Sequence, residues 1–216
     1  MLFLRSSGRP FNLEQITTQA IQLAGDGWLA ASVSWFAAFR GAVHYHHNQL
    51  EEAEANFAAV WNSRLLAHPQ AALHSSIGLA KTYAAQGRMD EAWAVMESAV
   101  RYCQDLDLLQ LLPTVNAYTA ELAQKMGDSK YAQHWIAQGG PLLHGNVMPF
   151  FYEPEMALPR MLLVINTNES RQDAAELLEE LITILARIGN NFYLIEALAM
   201  RAIIHEADSE KEKAEE

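Results

Sequence analysis

Cysteine is almost missing from this chain: Cys103 stands alone among 216 residues. That excludes an internal disulfide framework and a cysteine-based zinc site, and it fits a reducing compartment. The single thiol reads as a small core hydrophobe. Basic residues are also scarce, with 15 Lys and Arg against 26 Asp and Glu and a net charge of -11. Such a balance repels a phosphate backbone and leaves no basic stripe, so direct contact with nucleic acid is not expected. Long apolar runs are missing too. The start, MLFLRSSGRP, has four apolar residues before Arg5, against the roughly 7 to 15 of a signal-peptide core. The run from Trp28 to Phe39 stops at Arg40, short of the roughly 20 residues that span a bilayer. Neither a leader nor a membrane partner is expected, and a cytoplasmic location is the default.

Chemistry-bearing motifs are equally thin. No GxxxxGK[ST] phosphate loop occurs. The glycines of GGPLLHGNVMP, Gly139 to Pro149, lack the Lys-Ser/Thr pair and a preceding strand, so they read as a long inter-repeat connection. HYHHN, His44 to Asn48, is the nearest approach to a metal cluster. His44 and His47 share a helix face at three-residue spacing, but no acidic or cysteine ligand stands beside them in sequence. Serine and histidine occur without a nucleophile elbow, and acidic runs such as Glu176 to Glu180 belong on solvated helix faces. The reading is therefore non-enzymatic, with no catalytic and no metal residues.

What the chain does have is apolar content and repetition. Half of its residues are apolar, enough to bury a sizeable core, and only Ser209 to Glu216 read as solvated chain. HNQLEEAEANF places a turn residue at Asn48 and a small one at Ala53. QGRMDEAWAVM repeats this with Gly87 and Ala92, and MGDSKYAQHWI with Gly127 and Ala132. In each the turn leads the alanine by five. NESRQDAAELLEEL gives a fourth copy, Asn168 and Ala174, with one extra residue, and SEKEKAEE a partial fifth at Ala214. The alanines are spaced by 39, 40, 42 and 40 residues. A period of this length marks a solenoid of supersecondary units, here two helical runs around a polar turn.

Small residues at fixed positions let antiparallel helices cross closely. Gly41, Ala80 and Ala120 occupy the matching position of the helix before each turn. A glycine inside a helix costs about 1 kcal/mol relative to alanine, so Gly41 implies a tight contact. Trp61, Trp93 and Trp135 recur in the second helices, where core packing is their expected role. A kink is expected near Pro154 to Pro159. The units run roughly 30–68, 70–108, 113–147 and 150–188, with a partial one at 190–216, in one all-α repeat domain of about 40 residues per helix pair.

The order small residue, aromatic three later (Tyr83), turn glycine (Gly87), alanine (Ala92) and a further alanine (Ala99) resembles the tetratricopeptide pattern, with a period longer than the usual 34. The carboxy-terminal stretches MALPRMLLVIN, DAAELLEEL and LIEALAMRA are similar to the helical-repeat region of the large MalT-like, ATP-dependent transcriptional regulators of the LuxR type. Pro159 departs from that pattern, which favours alanine there. The resemblance is strong over Phe150 to Ala207, moderate over Ala30 to Gly139 and weak before that.

The resemblance implies an α–α superhelix whose first helices line a concave groove. On that mapping the groove presents Trp35, Tyr45 and His46, then His74 and Lys81, Glu121 and Lys125, Glu153 and Arg160, and Glu196. This mixed lining suits a polar small-molecule inducer or a peptide or protein partner better than a lipid. The resemblance also implies a phosphate-loop ATPase module before the repeats and a helix-turn-helix domain after them. Neither motif is found in this chain, so it reads as a piece of a longer protein. No cofactor is expected in the segment, and ATP belongs to the missing ATPase module. Cut ends of a solenoid expose apolar surface that can pair artificially, so self-association of the segment is one expectation. The implied role is a ligand- or partner-binding sensor that couples binding to transcription control. A stand-alone tetratricopeptide adaptor is the alternative.

One consequence concerns stability. Ala92→Leu overpacks the helix crossing and lowers the unfolding free energy by about 1–3 kcal/mol, readable as a lower urea midpoint followed by circular dichroism.

Overall fold

The computed structural model describes residues 30–137 and 154–215, and every regular element among them is helical. Among the described residues nine α-helices follow one another: α1 (Ala30–His46), α2 (Leu50–Asn62), α3 (Pro69–Ala85), α4 (Met89–Asp105), α5 (Leu112–Lys125), α6 (Ser129–Ala137), α7 (Ala157–Ile165), α8 (Asn168–Ile188) and α9 (Asn191–Glu215). Single 3-10 turns, Leu109–Leu111 and Pro154–Met156, lead into α5 and α7. By its internal packing the chain divides into two units. Among the described residues, the first runs to Thr119 and the second begins at Ala120, so the division falls inside α5 rather than in a linker.

The helices end where the sequence supplies a residue that tolerates a left-handed backbone. Asn48, Gly87 and Gly127 have φ of 59°, 78° and 85°. At each, the following amide donates back to the carbonyl five residues earlier: Gln49 to His44 at 2.9 Å, Arg88 to Tyr83 at 2.9 Å and Asp128 to Ala123 at 2.9 Å. The turn residue's own amide donates to the carbonyl three residues before it, Asn48 to Tyr45 at 3.0 Å, for example. These are Schellman caps, which satisfy carbonyls left over at a helix end. Asp107 and Gly189 close α4 and α8 in the same way.

The fourth turn differs from its sequence reading. Its left-handed residue is Asn166, φ 55°, whose amide donates to the Leu162 carbonyl at 3.1 Å. Asn168 is instead the first residue of α8. Thr167 caps that helix: its Oγ1 accepts from the Ser170 amide at 3.1 Å, and its own amide donates to Ser170 Oγ at 2.9 Å. Reciprocal capping of this kind fixes the helix start, and it explains the extra residues before Ala174. The fifth copy has no turn, because α9 runs unbroken through Ser209 to Glu215. The connection predicted over Gly139 to Pro149 lies outside the described residues.

Packing in the first unit centres on Phe57 of α2, which has no exposed surface. Its ring lies against Gly41 of α1 and Gly78 of α3, both in helix interiors. A Cβ at Gly41 would meet Phe57 Cδ1 at 2.8 Å, and one at Gly78 would come closer still to Phe57 Cζ. The two glycines thus make the slot that the ring fills, and the expected tight contact at Gly41 has a named cause. Ala53, Ala80, Ala92 and Ala99 are fully buried. Trp61 is buried edge-on to Tyr102, ring centroids 5.6 Å apart. Trp93 instead lies half-buried, its indole N–H donating to Glu97 at 3.1 Å.

In the second unit Met156, Leu162, Ala174, Leu178, Leu181, Leu185, Tyr193, Ala197, Met200 and Ile204 form one core across α7, α8 and α9. Pro159 is buried in the first turn of α7. A proline there removes an amide that lacks an intrahelical acceptor anyway, so the expected kink takes the form of a helix start.

Gly78→Ala should cost about 1–3 kcal/mol through this overpacking, and Phe57→Ala about 3–5 kcal/mol through the cavity it leaves. The Gly78→Ala, Phe57→Leu pair should lose less than the sum of its single changes, because the smaller side chain vacates the new methyl's space. Urea unfolding of the four proteins measures the coupling.

Candidate functional site

Of the ten residues mapped to the first-helix face, five lie in the first unit. Trp35 and Phe39, one turn apart on α1, are stacked at 5.6 Å with ring planes 24° apart. Two histidines flank the indole: His68 at 5.5 Å and His74 at 6.2 Å between ring centroids. His68 sits there because it is the cap residue of α3, followed by Pro69 in the first helical turn. Its amide donates to Ser34 Oγ on α1 at 3.2 Å, fixing the start of α3 beside Trp35. Trp35 and His68 are half-buried, and His74 is buried.

Further along the same two helices, Lys81 Nζ stands 5.7 Å from the centre of the Tyr45 ring. His46 meets that ring edge-on at 5.7 Å. Burial pushes the Tyr45 phenol above its usual pKa, because the phenolate would lose hydration. A cation over a partly exposed ring contributes about 0.5–1 kcal/mol. Trp35, His74 and His68 thus form one aromatic–imidazole group, and Tyr45, His46 and Lys81 a second, both between α1 and α3.

His44, the residue that suggested a metal, is buried and engaged elsewhere. Its Nε2 accepts from Arg40 Nε at 3.4 Å, which leaves Nδ1–H to donate to Gln49 Oε1 at 2.7 Å. This ring helps close the α1 turn. Among the described residues no group of three or more His, Cys, Asp or Glu is placed to hold a metal ion.

The second unit brings three more of the ten together. Arg160 on α7 grips Glu196 on α9 through two parallel bonds, Nε–Oε1 at 2.7 Å and Nη2–Oε2 at 3.0 Å. Its third nitrogen, Nη1, reaches Glu121 Oε1 on α5 at 2.9 Å. Glu121 is buried, while Arg160 and Glu196 are partly exposed. Planar guanidinium suits such two-sided carboxylate pairing, and the result ties three first helices. The three groups sum to one negative charge. Lys125 is exposed in the last turn of α5 and stands apart from this cluster among the described ion pairs. Glu153 lies outside the described residues.

The sequence reading missed Phe39 and His68 as neighbours of Trp35. The signal was present in both cases: Phe39 follows Trp35 by four, and His68 directly precedes a proline suited to a helix start. It also missed Arg88, whose guanidinium lies 4.1 Å from the centre of the Tyr83 ring. Arg88 pairs with Glu54 of α2 at 2.7 Å and Glu91 of α4 at 2.6 Å. Its hydrogen bonds hold the Glu91 carboxyl below the ordinary carboxylate range. Tyr83, the repeat aromatic, is thereby a platform for a tie between consecutive helix pairs.

Sequential antiparallel helix pairs, small residues at the crossings and side chains presented along the first helices define an all-α protein of the tetratricopeptide-like α–α superhelix class. The chain belongs to the family described as the MalT-like TPR region, whose model matches residues 6–216. Among curated proteins and among solved structures a search finds no match.

Arg160→Gln leaves Glu121 buried without its cation, so it should destabilise the chain by about 1–3 kcal/mol. Adding Glu121→Gln should recover part of that loss, and urea unfolding of the single and double variants measures it.

Proposed function

We propose that the chain is a non-catalytic sensor segment of a LuxR-type, ATP-dependent transcriptional regulator, acting in the cytoplasm. It binds a polar small-molecule inducer or a partner segment on its first-helix face and passes that binding to transcription control. Membership of the MalT-like TPR family supports the parent context. No helix among the described residues is long and apolar enough to cross a membrane.

The observation that carries the binding reading is the pairing of half-exposed rings with cationic and imidazole groups between α1 and α3. Trp35 with His68 and His74 offers a flat apolar face edged by hydrogen-bonding nitrogens; Tyr45 with Lys81 offers a second face with a positive charge. Such sites combine apolar stacking with a few polar groups that fix orientation. The Glu121–Arg160–Glu196 cluster plays a different part in this reading: its charges satisfy one another, and it holds helices together. ATP enters only through an ATPase module of the parent protein. Any switching free energy must come from ligand binding one state of the parent more tightly than the other.

A thermal-shift screen of the 216-residue chain against sugars, amino acids, nucleotides and peptides is the test. A ligand that binds only the folded state at about 100 times its Kd adds about 2.7 kcal/mol and raises Tm. Trp35→Ala and Lys81→Met should each weaken that ligand by about tenfold or more, whereas Lys130→Ala on α6 should not. A ligand whose affinity survives both changes does not use this face, and the reading fails.

A further inference from the structure

His68 stands where the fold gains little from a histidine. It occupies the cap position of α3, where serine, threonine, aspartate or asparagine would accept a hydrogen bond from the first turn, and its side chain makes no such bond. Its ring nitrogen Nδ1 is buried with no hydrogen-bond partner among the described residues. Both features forgo stability. A residue that breaks local rules without a structural return marks a functional position.

The rest of His68 is held firmly. Pro69 confines the residue before it to extended backbone, and His68 has φ -62° and ψ 129°. Its amide donates to Ser34 Oγ at 3.2 Å, and Ser34, itself buried, donates on to the Ala31 carbonyl at 2.6 Å. The ring lies against the Trp35 indole, centroids 5.5 Å apart and planes at 42°. The other ring nitrogen, Nε2, is not enclosed as Nδ1 is, and no hydrogen bond within the described residues engages it.

A neutral imidazole carries one N–H, on either nitrogen. An N–H buried without an acceptor is a costlier orphan than a bare acceptor, so the proton belongs on Nε2. We propose that His68 is a ligand-binding residue held as its Nε2–H tautomer, and that the molecule stacked on Trp35 is a planar compound whose carbonyl or carboxylate oxygen accepts from that N–H. The other polar groups that meet the two rings of this face, His46, His74 and Lys81, are nitrogen-bearing as well, and none is a carboxylate. A ligand rich in acceptors therefore suits the whole face. This assignment rests on the ligand-binding reading of the face between α1 and α3, and it adds the chemistry of one end of that ligand.

Three measurements on the 216-residue chain test it. Nitrogen NMR of the imidazole rings, assigned with His68→Phe, should show His68 protonated on Nε2. His68→Phe keeps the ring packed on Trp35 and removes the orphan nitrogen, so its Tm should rise by about 2 °C or more. Acetophenone and aniline, titrated to millimolar concentration, serve as planar probes with and without a carbonyl. Shifts of the Trp35 indole signal should show acetophenone binding about fivefold more tightly or better, and His68→Phe should erase that preference. A proton on Nδ1 overturns the proposal, as does a lower Tm for His68→Phe. So does acetophenone that leaves the Trp35 signal unmoved, or a preference that survives the substitution. The broader reading fails separately: a ligand found by thermal shift that needs Trp35 and Lys81 but binds His68→Phe unchanged removes the His68 assignment alone.

Discussion

Everything in the first unit is arranged around how closely three helix backbones can approach the Phe57 ring. The ring carries one of the largest fully buried side chains in the structure, and the two glycines beside it are the residues that make room. Interior glycines weaken the helices that hold them, by about 1 kcal/mol each relative to alanine. Burying a phenylalanine side chain stabilises by about 1.5–3 kcal/mol. The gain therefore covers the local cost with little to spare, and the arrangement holds only if the ring is enclosed on both sides. Once α1, α2 and α3 are held at that spacing, Trp35, His68 and His74 come into contact and Lys81 lies over Tyr45.

Turn chemistry sets the repeat as firmly as packing does. Among the described residues five helices end in the same pair of back-donated hydrogen bonds around a left-handed residue, and the central residue is Asn, Gly, Asp, Gly and Gly in turn. Asparagine and aspartate adopt this backbone at tolerable strain, and glycine at none. The direction of the next helix is thus fixed by one residue, and after Asn48, Gly87 and Gly127 a buried alanine five positions later returns to the crossing. Asn166 keeps the left-handed backbone but closes a single back-donated bond, and Thr167 then starts α8 with its own cap. That change of cap, rather than an irregular helix, is why the alanine spacing stretches from 40 to 42 residues at this point.

The sequence made legible those features that depend on local chemistry. The turn residues, the small crossing positions and the pairing of helices can be read from period and residue type, since each is imposed by backbone geometry within a few residues. The slot around Phe57 could be read only in part. Gly41 stood at a repeat position and signalled a close contact, but Gly78 falls two residues before the equivalent position, and only the path of α2 shows that both face one ring. Asn168 misled because asparagine also favours helix starts, and the threonine before it decided the cap. The face shared by Glu121, Arg160 and Glu196 could be placed from the repeat register. That their charges meet one another could not, because it depends on the reach of three long side chains from three helices.

Their mutual satisfaction bears on where a ligand can bind. An anion approaching Arg160 has to displace carboxylates already held in a two-pronged grip, one of them buried and left without a partner by the exchange. Removing the partner of a buried charged group costs more than a new surface pair returns. A cation approaching Glu196 faces the mirror problem, since that carboxylate is bound through both oxygens. The second unit therefore resists charged ligands at this cluster while gaining cohesion from it. In the first unit the rings of Trp35 and Tyr45 keep part of their surface open to solvent. The contrast arises from the alternation of residue types along equivalent helix positions: lysine after Ala80, glutamate after Ala120, arginine after Pro159.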